Sequence, residues 1–289
     1  MVPHVTRFAP SPTGYLHLGH AFAALVAAEL ARGSGGRFLA RIEDTDRTRA
    51  RPEYEAAIFE DLAWLGLQWE EPVRRQSEHF DDYARALDVL KGLGCAYPCF
   101  CTRKEIEAEF AASVNAPQGP DGPIYPGTCR TVSTSERAMR LARGDSHAWR
   151  LDVAAALACL DTPLTFDELG AGANGERGTI AVKADLFGDV VLARKDAPAS
   201  YHLAVVVDDA LQGVTLVTRG NDLFAAAHVQ RLLQALLELP VPQYSHHRLI
   251  SDASGRRLAK RDQATTLKHL RADGWTPARV REALGLTSR

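Results

Sequence analysis

The most informative stretch of this chain lies near its start and reads Arg7-Phe8-Ala9-Pro10-Ser11-Pro12-Thr13-Gly14-Tyr15-Leu16-His17-Leu18-Gly19-His20. It follows a short β-type run, residues 4–8, and leads into an alanine- and leucine-rich run, residues 18–31, that predicts a helix. The prolines and the glycine between these runs interrupt regular structure. The stretch therefore predicts a strand, a loop and a helix start in quick succession.

The predicted helix start is suited to binding an anion. A helix N-terminus presents free backbone N–H groups and the positive end of the helix dipole. Gly19 lets a flat ligand approach the backbone, and His17 and His20 place two imidazoles at the same point. We therefore predict a nucleotide-phosphate site at His17, Gly19 and His20. For the two histidines alone, simple capping of the helix is the alternative.

The rest of the chain predicts an α/β core with an insertion. Strand and helix patterns alternate up to about residue 97, lapse between 98 and 197, and then resume. Two short helical patterns, residues 265–271 and 276–284, follow near the end. The expected fold is a Rossmann-type catalytic core, an inserted subdomain and a short C-terminal helical lobe. The expected segments are 1–97 and 198–249 for the two core halves, 98–197 for the insertion, and 250–289 for a loop and the lobe.

Individual elements are predicted from capping residues and periodicity. Strands are expected at 37–42, 149–153, 190–193 and 214–218, and helices at 52–65, 134–143 and 222–237. Ser77 is expected to cap a further helix that runs to about Leu93. An apolar run that ends at Asp208-Asp209 marks the return of the strand and helix order.

Composition limits the location and the partners of the protein. The chain has 289 residues, of which 46% are hydrophobic, enough for a substantial core. No stretch reaches the roughly 18 uncharged apolar residues of a membrane span, and no secretory pattern opens the chain. A cytoplasmic protein without a membrane partner is expected.

A nucleic-acid partner would have to bind local basic clusters, because the net charge is −2. Two such clusters occur, and either one alone is also typical of an ordinary solvated surface. They comprise Arg47, Arg49 and Arg51, and Arg256, Arg257, Lys260 and Arg261.

Five cysteines in a chain without secretory signals make disulfides unexpected. Cys99 and Cys101, followed by Cys129, supply three thiolates that could converge on a tetrahedral zinc ion with one further ligand. Small buried hydrophobic residues are the alternative interpretation of these cysteines. Cys95 is the competing residue for the fourth ligand position.

The opening stretch resembles the "HIGH" region of class I aminoacyl-tRNA synthetases. Together with Arg41-Ile42-Glu43-Asp44-Thr45-Asp46 it is similar to the glutamyl branch of that class. The segments Ser200 to Asp209 and Val217 to Leu223 are similar to the second half of the family. The resemblance extends from about Arg7 to about Lys260.

This resemblance implies an enzyme, a ligase that activates L-glutamate with ATP and Mg²⁺. Lys260 matches the second lysine of a degenerate "KMSKS" loop, and catalysis is expected to depend on His17, His20 and Lys260. The same two histidines, Gly19 and Lys260 would bind ATP. The implied glutamate-binding residues are Arg7, Phe8, Ala9, Pro10, Ser11, Glu43, Tyr201 and Arg219. Asp44 and Asp46 are either magnesium ligands or turn-capping residues.

The resemblance also bears on the metal site. The segment from Tyr125 to Arg130 matches a family segment in which a tyrosine oxygen is the fourth zinc ligand. One structural zinc, held by Cys99, Cys101, Tyr125 and Cys129, is therefore expected.

The family leaves two possible acceptors for glutamate. Only a short segment follows the Lys260 loop, which favours the truncated paralogues that attach glutamate to the queuosine base in the anticodon of tRNA(Asp). A minimal glutamyl-tRNA synthetase that charges the tRNA 3′ end is the alternative. A non-catalytic RNA-binding paralogue is the third interpretation. A monomer is expected in each case.

Overall fold

The computed structural model describes residues 2–112, 118–120, 122–250 and 265–286. Within these ranges the helices are α1 (Leu18–Gly33), α2 (Pro52–Trp64), α3 (Phe80–Gly92), α4 (Arg103–Ala112), α5 (Thr134–Ala142), α6 (Val153–Ala158), α7 (Tyr201–Leu211), α8 (Ala226–Leu236), α9 (Leu267–Ala272) and α10 (Pro277–Ala283). The strands are β1 (Val5–Phe8), β2 (Arg37–Ile42), β3 (Glu70–Arg75), β4 (Ala96–Cys99), β5 (Gln118–Gly119), β6 (Gly122–Pro123), β7 (Ala148–Leu151), β8 (Thr165–Glu168), β9 (Gly178–Ala181), β10 (Val191–Ala193), β11 (Leu216–Gly220) and β12 (Gln243–His247).

Parallel strands from both halves of the chain form the central sheet. β1 pairs with β2 and β2 with β3, while β11 pairs with β12, all in parallel. The two groups meet where the Thr215 N–H donates to the Val5 carbonyl at 3.0 Å, beside the start of β11. The spatial order is therefore β3, β2, β1, β11, β12. The order reverses between β1 and β11, and ligands of open α/β sheets bind at the carboxyl ends of strands at such a point. The expected Rossmann-type core is confirmed.

Small side chains let α1 pack closely on this sheet. Ala21, Ala24 and Ala27 on α1 are fully buried. The Thr6 hydroxyl of β1 donates to the Ala27 carbonyl at 2.8 Å, which ties the helix to the strand. The alanine-rich run of the sequence thus serves close packing as well as helix formation.

Part of the segment between the two core halves belongs to the central sheet. β4, β7 and β10 form an antiparallel sheet that is separate from the central one. β8, however, pairs in parallel with β12, and β9 pairs with β8, so that this hairpin extends the central sheet. No local pattern predicts this extension, because the pairing joins distant parts of the chain. The four-segment division stays a prediction.

Several element boundaries differ from the expected ones. α3 begins at Phe80, after a short 3-10 turn, and the Ser77 hydroxyl donates to Asp44 instead of capping α3. The apolar run that ends at Asp208-Asp209 is helix α7, which is buried on several faces and therefore lacks an amphipathic period. α6, capped by Asp152, was not expected.

Both predicted C-terminal helices are present as α9 and α10. They bury Leu267, Leu270 and Val280 in the hydrophobic cluster that also contains α1. The Leu267 N–H donates to the Leu16 carbonyl at 2.8 Å, so α9 is tied directly to the loop before α1. No helix in the described ranges has the length and apolar character needed to cross a membrane.

Asp61 of α2 is a buried acid near α9 that should make stability depend on pH. Its two carboxylate oxygens have no hydrogen-bond partner within the described ranges, and Arg271 lies 3.8 Å away. Burial raises the pKa of Asp61 from 3.8 to about 6. The folded protein therefore holds this proton more tightly than the unfolded chain does, and the free energy of unfolding falls as pH rises between these two values.

We expect Asp61→Asn to raise the free energy of unfolding above pH 7 by about 2 kcal/mol, because it removes the cost of the buried charge. The gain should shrink towards zero near pH 4. Denaturant unfolding at pH 4 and pH 8 measures both values. Exposed Glu60→Gln is the neighbouring control, and a gain that does not vary with pH would contradict the role of the Asp61 charge.

Candidate active site

A cavity of about 530 Å³ opens at the carboxyl ends of β1 and β11, at the reversal of strand order. The size is in the range of small-ligand pockets. Most of the predicted site residues line it, although they come from both halves of the chain. They are Arg7, Phe8, Ala9, Pro10, Ser11, His17, Gly19, His20, Glu43, Tyr201 and Arg219. Lys260, the remaining predicted residue, lies outside the described residues.

The start of α1 forms one wall of the cavity. His17 Nδ1 accepts from the Gly19 N–H at 3.1 Å, and the His17 N–H donates to His20 Nδ1 at 3.2 Å. The two imidazoles therefore do cap the helix, while both also line the cavity. A Cβ on residue 19 would lie 2.9 Å from a carbon of the His17 ring. Gly19 thus keeps the capping geometry as well as an accessible backbone.

Arg219 of β11 lies on the opposite side and is held by three side chains. Its Nε donates to His246 Nε2 at 3.0 Å, and its Nη1 donates to Gln230 Oε1 at 2.8 Å and to the Tyr201 hydroxyl at 3.4 Å. Its Nη2 is buried, and no hydrogen-bond partner for it occurs in the described part of the chain. A buried guanidinium nitrogen without an acceptor is costly, and Arg219 is also one of the residues that line the cavity.

Arg7 and Glu43 are linked through two buried residues that were not among the predicted site residues. Asp209 accepts from Arg7 Nε at 3.0 Å and from Arg41 Nη1 at 2.8 Å. Arg41 also donates to Glu43 at 3.2 Å. Burial raises the pKa of Glu43 despite Arg41. Burial opposes ionisation of Asp209 as well, but Arg7 and Arg41 outweigh it and lower the pKa of Asp209.

Asp208, the neighbour of Asp209, anchors α7 to β3 and α3. It accepts hydrogen bonds from Arg74 Nε at 2.7 Å, Gln76 Nε2 at 2.8 Å and the Tyr83 hydroxyl at 2.9 Å. Its full burial explains why all of its oxygen acceptors are engaged by the protein. Asp209 thus holds Arg7 of β1 and Arg41 of β2, while Asp208 holds α7 against β3 and α3.

Asp44 and Asp46 are turn residues in this structure. Asp44 accepts from the Ser77 backbone N–H at 2.8 Å and from its hydroxyl at 2.5 Å. Asp46 accepts from the Thr48 hydroxyl at 2.6 Å and from Arg49 at 2.8 Å. These bonds stabilise the loop before α2, but neither aspartate caps α2, whose N-cap is Arg51 without a side-chain hydrogen bond. Of the first basic cluster, Arg49 lines the cavity and Arg47 is exposed. The second cluster lies outside the described residues.

The three predicted cysteine ligands come together at β4 and a turn after β6. The thiol sulfurs of Cys99, Cys101 and Cys129 lie within 4.8 Å of one another, a group that could hold a metal ion. The Tyr125 hydroxyl oxygen lies 3.4 Å from Cys99 Sγ and 3.5 Å from Cys101 Sγ. It also accepts from the Cys129 backbone N–H at 2.9 Å. Tyr125, rather than Cys95, is thus adjacent to the group.

The alternative residue Cys95 belongs to another contact. Its Sγ lies 3.5 Å from the Sγ of Cys159, an exposed residue just after α6. Within the cysteine group, burial opposes thiolate formation at Cys129, but the Phe100 N–H and the Tyr125 hydroxyl outweigh it and lower the pKa of Cys129. The effect is confined to Cys129, because burial raises the pKa of Cys101 to about 12.

The fold and the site together define a class I tRNA synthetase catalytic domain. Residues 4–288 match the family described as "tRNA synthetases class I (E and Q), catalytic domain". The chain therefore belongs to this family and is a ligase of the aminoacyl-tRNA synthetase type.

Its relatives are of two kinds. A protein of Rhodobacter capsulatus named "Glutamyl-Q tRNA(Asp) synthetase" is 50% identical, and the match covers 98% of this chain and 100% of that protein. A protein of the same name from Symbiobacterium thermophilum is 43% identical over 95% of this chain and 83% of its own length. The "Glutamate--tRNA ligase" of Aquifex aeolicus is 40% identical over 94% of this chain, but over only 54% of its own length. The expected likeness to glutamyl-tRNA synthetase paralogues is confirmed.

A solved structure agrees with this assignment. The glutamate tRNA ligase of Elizabethkingia meningosepticum, crystallised in complex with its amino acid, superposes with a TM-score of 0.78 at 29% identity. The match covers 96% of this chain and 59% of that chain, so this chain spans somewhat more than half of the ligase.

Proposed function

We propose that the protein activates L-glutamate with ATP as glutamyl-adenylate and transfers the glutamate to the queuosine base in the anticodon of tRNA(Asp). The activation of glutamate is inferred chiefly from Arg219, whose buried Nη2 lacks an acceptor among the described residues. Arg219 lines a cavity that is also lined by Glu43 and Tyr201. A non-catalytic RNA-binding module would have no need for that arrangement.

The charges around the cavity suit an amino acid with two carboxylates and one ammonium group. Arg7 and Arg219 supply guanidinium groups, whose charged N–H donors suit carboxylates, and Tyr201 supplies a hydroxyl. In Arg219 the donors left over by the protein are the N–H groups of Nη2. Glu43 would accept from the ammonium group, and a cation there would hold its carboxylate ionised despite burial. The backbone from Phe8 to Ser11 would line the ligand.

ATP would lie against the start of α1. His17, His20 and the N–H groups near Gly19 would bind its phosphates, and Mg²⁺ would accompany the nucleotide. Lys260 is proposed to stabilise the leaving pyrophosphate, since a flexible ammonium can follow that charge. The glutamate carboxylate attacks the α-phosphate, and pyrophosphate leaves. No protein nucleophile is needed, because positioning and charge stabilisation carry such phosphoryl chemistry.

A zinc ion would be held by Cys99, Cys101, Cys129 and Tyr125. Three sulfurs and an oxygen at these separations fit a closed four-ligand structural site. Such an ion would tie β4 to the turn at Cys129 and stabilise the surrounding fold.

Metal analysis of the purified protein is expected to find one zinc per chain, and Cys101→Ser should lose most of it. Tyr125→Phe should weaken zinc binding by about tenfold or more, because it removes the fourth ligand. Cys159→Ser, which changes a thiol outside the group, is the matched control and should keep the zinc. Zinc-free wild type would reject the site, and unchanged zinc affinity in Tyr125→Phe would reject the tyrosine ligand.

The acceptor is inferred from the relatives. Five proteins at 42% to 50% identity carry the name "Glutamyl-Q tRNA(Asp) synthetase", and the first of them matches over its whole length. Charging of the tRNA 3′ end is the second candidate function, since three proteins named as glutamate--tRNA ligases are 38% to 40% identical. Either enzyme is proposed to act as a monomer.

Glutamate-dependent exchange of labelled pyrophosphate into ATP tests the activation step. We expect exchange with glutamate and little with glutamine or aspartate, measured with and without bulk tRNA. An absence of exchange under both conditions would contradict the proposed activation.

A further inference from the structure

Behind Arg219 lies a buried pair of ionisable residues that the proposed reaction does not itself require. His246 Nε2 accepts from Arg219 Nε at 3.0 Å, and His246 Nδ1 lies 2.5 Å from Glu168 Oε2. The side chains of His246 and Glu168 are fully inaccessible to solvent. An ionisable pair is costly to bury, so its contact with a ligand-facing arginine calls for a physical explanation.

The three residues are brought into line by strand pairing. In the parallel register of β11 and β12, Arg219 is the direct partner of His246. Glu168 ends β8, which pairs with β12 at Tyr244, two residues before His246. Glu168 Oε1 also accepts from the backbone N–H groups of His246 and Gly170, each at 2.8 Å. A Cβ at residue 170 would lie 2.2 Å from the His246 carbonyl oxygen, so glycine is required there.

The hydrogen bonds fix where the imidazole proton lies. An arginine side chain can only donate, so His246 Nε2 must accept and the ring proton must be on Nδ1, facing Glu168. Burial lowers the pKa of His246. Burial opposes ionisation of Glu168, but the hydrogen bonds from His246 outweigh it and lower the pKa of Glu168. The arrangement is therefore an ionised carboxylate, a neutral imidazole and a guanidinium cation. A protonated imidazole would place an N–H against the N–H of Arg219.

We propose that Glu168 and His246 are positioning residues that orient Arg219 for the side-chain or α-carboxylate of glutamate. With Nε held by His246 and Nη1 held by Gln230 and Tyr201, the guanidinium cannot rotate, and Nη2 remains for the ligand. The fixed group presents donors only, which favours a carboxylate over the amide of glutamine. This inference rests on the proposed binding of glutamate by Arg219.

Glu168→Gln is the sharpest test, because it keeps the shape and reverses one hydrogen bond. The amide oxygen would take over the two backbone N–H groups, and the amide nitrogen would face His246 Nδ1 as a donor. The ring proton would then move to Nε2, against Arg219. We expect the KM for glutamate to rise about tenfold or more, with the KM for ATP changed by less than about twofold.

Substitutions of His246 separate positioning from simple packing. His246→Leu should raise the KM for glutamate about tenfold or more, because it removes the acceptor for Arg219. His246→Gln places an oxygen near the former Nε2 and should recover most of the affinity. His228→Leu is the matched control, since His228 is also buried and packs on the same Phe224 ring, while its Nδ1 accepts from the Lys183 N–H instead of from Arg219. It should leave the KM for glutamate unchanged.

Pyrophosphate exchange over a range of glutamate and ATP concentrations, with melting temperatures in parallel, distinguishes the outcomes. A selective rise in the glutamate KM in Glu168→Gln and His246→Leu, with recovery in His246→Gln, supports the inference. An unchanged KM for glutamate, or an equal rise in the KM values for glutamate and ATP, overturns the inference. If the wild type still catalyses exchange, the proposed function stands in that case. Wild type without any exchange would contradict the proposed function and this inference with it. If His246→Leu does not fold, the glutamate KM of Glu168→Gln alone tests the inference.

Discussion

Arg219→Leu is expected to abolish glutamate activation while leaving ATP binding intact. The substitution removes the donor-only group that we place against a carboxylate, and it keeps a buried side chain of reasonable size. Each charge-assisted hydrogen bond contributes about 1.5–3 kcal/mol, so the loss of two predicts a fall in kcat/KM for glutamate on the order of 10³-fold. Glutamate-dependent pyrophosphate exchange measures this fall, and ATP binding is followed by ligand-dependent shifts in melting temperature.

Arg219→Lys is the informative companion to this variant. It keeps the positive charge but loses the planar fork and the contacts with both His246 and Gln230. We therefore expect it to recover little activity. Recovery to near the wild-type rate would show that charge alone matters, and wild-type exchange in Arg219→Leu would remove Arg219 from the site.

Asp209→Asn should cost about 3–5 kcal/mol of folding free energy, because it removes the buried carboxylate that Arg7 and Arg41 share. Arg41 would keep Glu43 and Asp208 as counter-charges, whereas Arg7 would lose the carboxylate that pairs with it. The affected groups are Arg7 and Arg41, whose side chains are 5% and 0% exposed. Because the pKa of Asp209 is lowered in the folded state, the wild-type carboxylate contributes stability above its unfolded pKa, and this contribution is lost as pH falls. The difference between variant and wild type should therefore shrink at acid pH.

A surface aspartate provides the control for this prediction. Asp196 pairs with Arg194 at 2.9 Å, yet its side chain is 64% exposed. Asp196→Asn should change the free energy of unfolding by less than about 1 kcal/mol. Denaturant unfolding of both variants at neutral pH gives the comparison, and equal effects would argue against the special role of Asp209.

The core and much of the cavity were predictable because the residues that form them lie close together in the sequence or at recognisable strand ends. The strand, loop and helix start from Arg7 to His20 identify the cavity wall from consecutive residues, and Arg219 is marked by its place at a strand end. The cysteine group was also predictable from spacing. The family resemblance favoured Tyr125 over Cys95 as its fourth member, and the distances in the structure agree with that preference.

The residues that orient the site were not predictable in this way. Glu168 and His246 are far apart in the chain and meet only because β8 joins β12, a pairing that no periodic pattern indicates. Asp208 and Asp209 end an apolar run whose burial hides its helical period. Gln230 is one of three buried polar residues on α8, with His228 and Gln234, and only its contact with Arg219 of β11 gives it a role in the site.

The identity of the acceptor separates transfer to the queuosine base from charging of the tRNA 3′ end. Labelled glutamate, ATP and the protein would be incubated with tRNA(Asp) that contains queuosine but has had its 3′-terminal adenosine removed, and with intact tRNA(Asp) that lacks queuosine. A queuosine diol can be acylated when the 3′ end cannot, because the anticodon loop exposes its bases. We expect label on the first tRNA and none on the second. Label on the second alone would contradict transfer to the base and identify a small enzyme that charges the 3′ end.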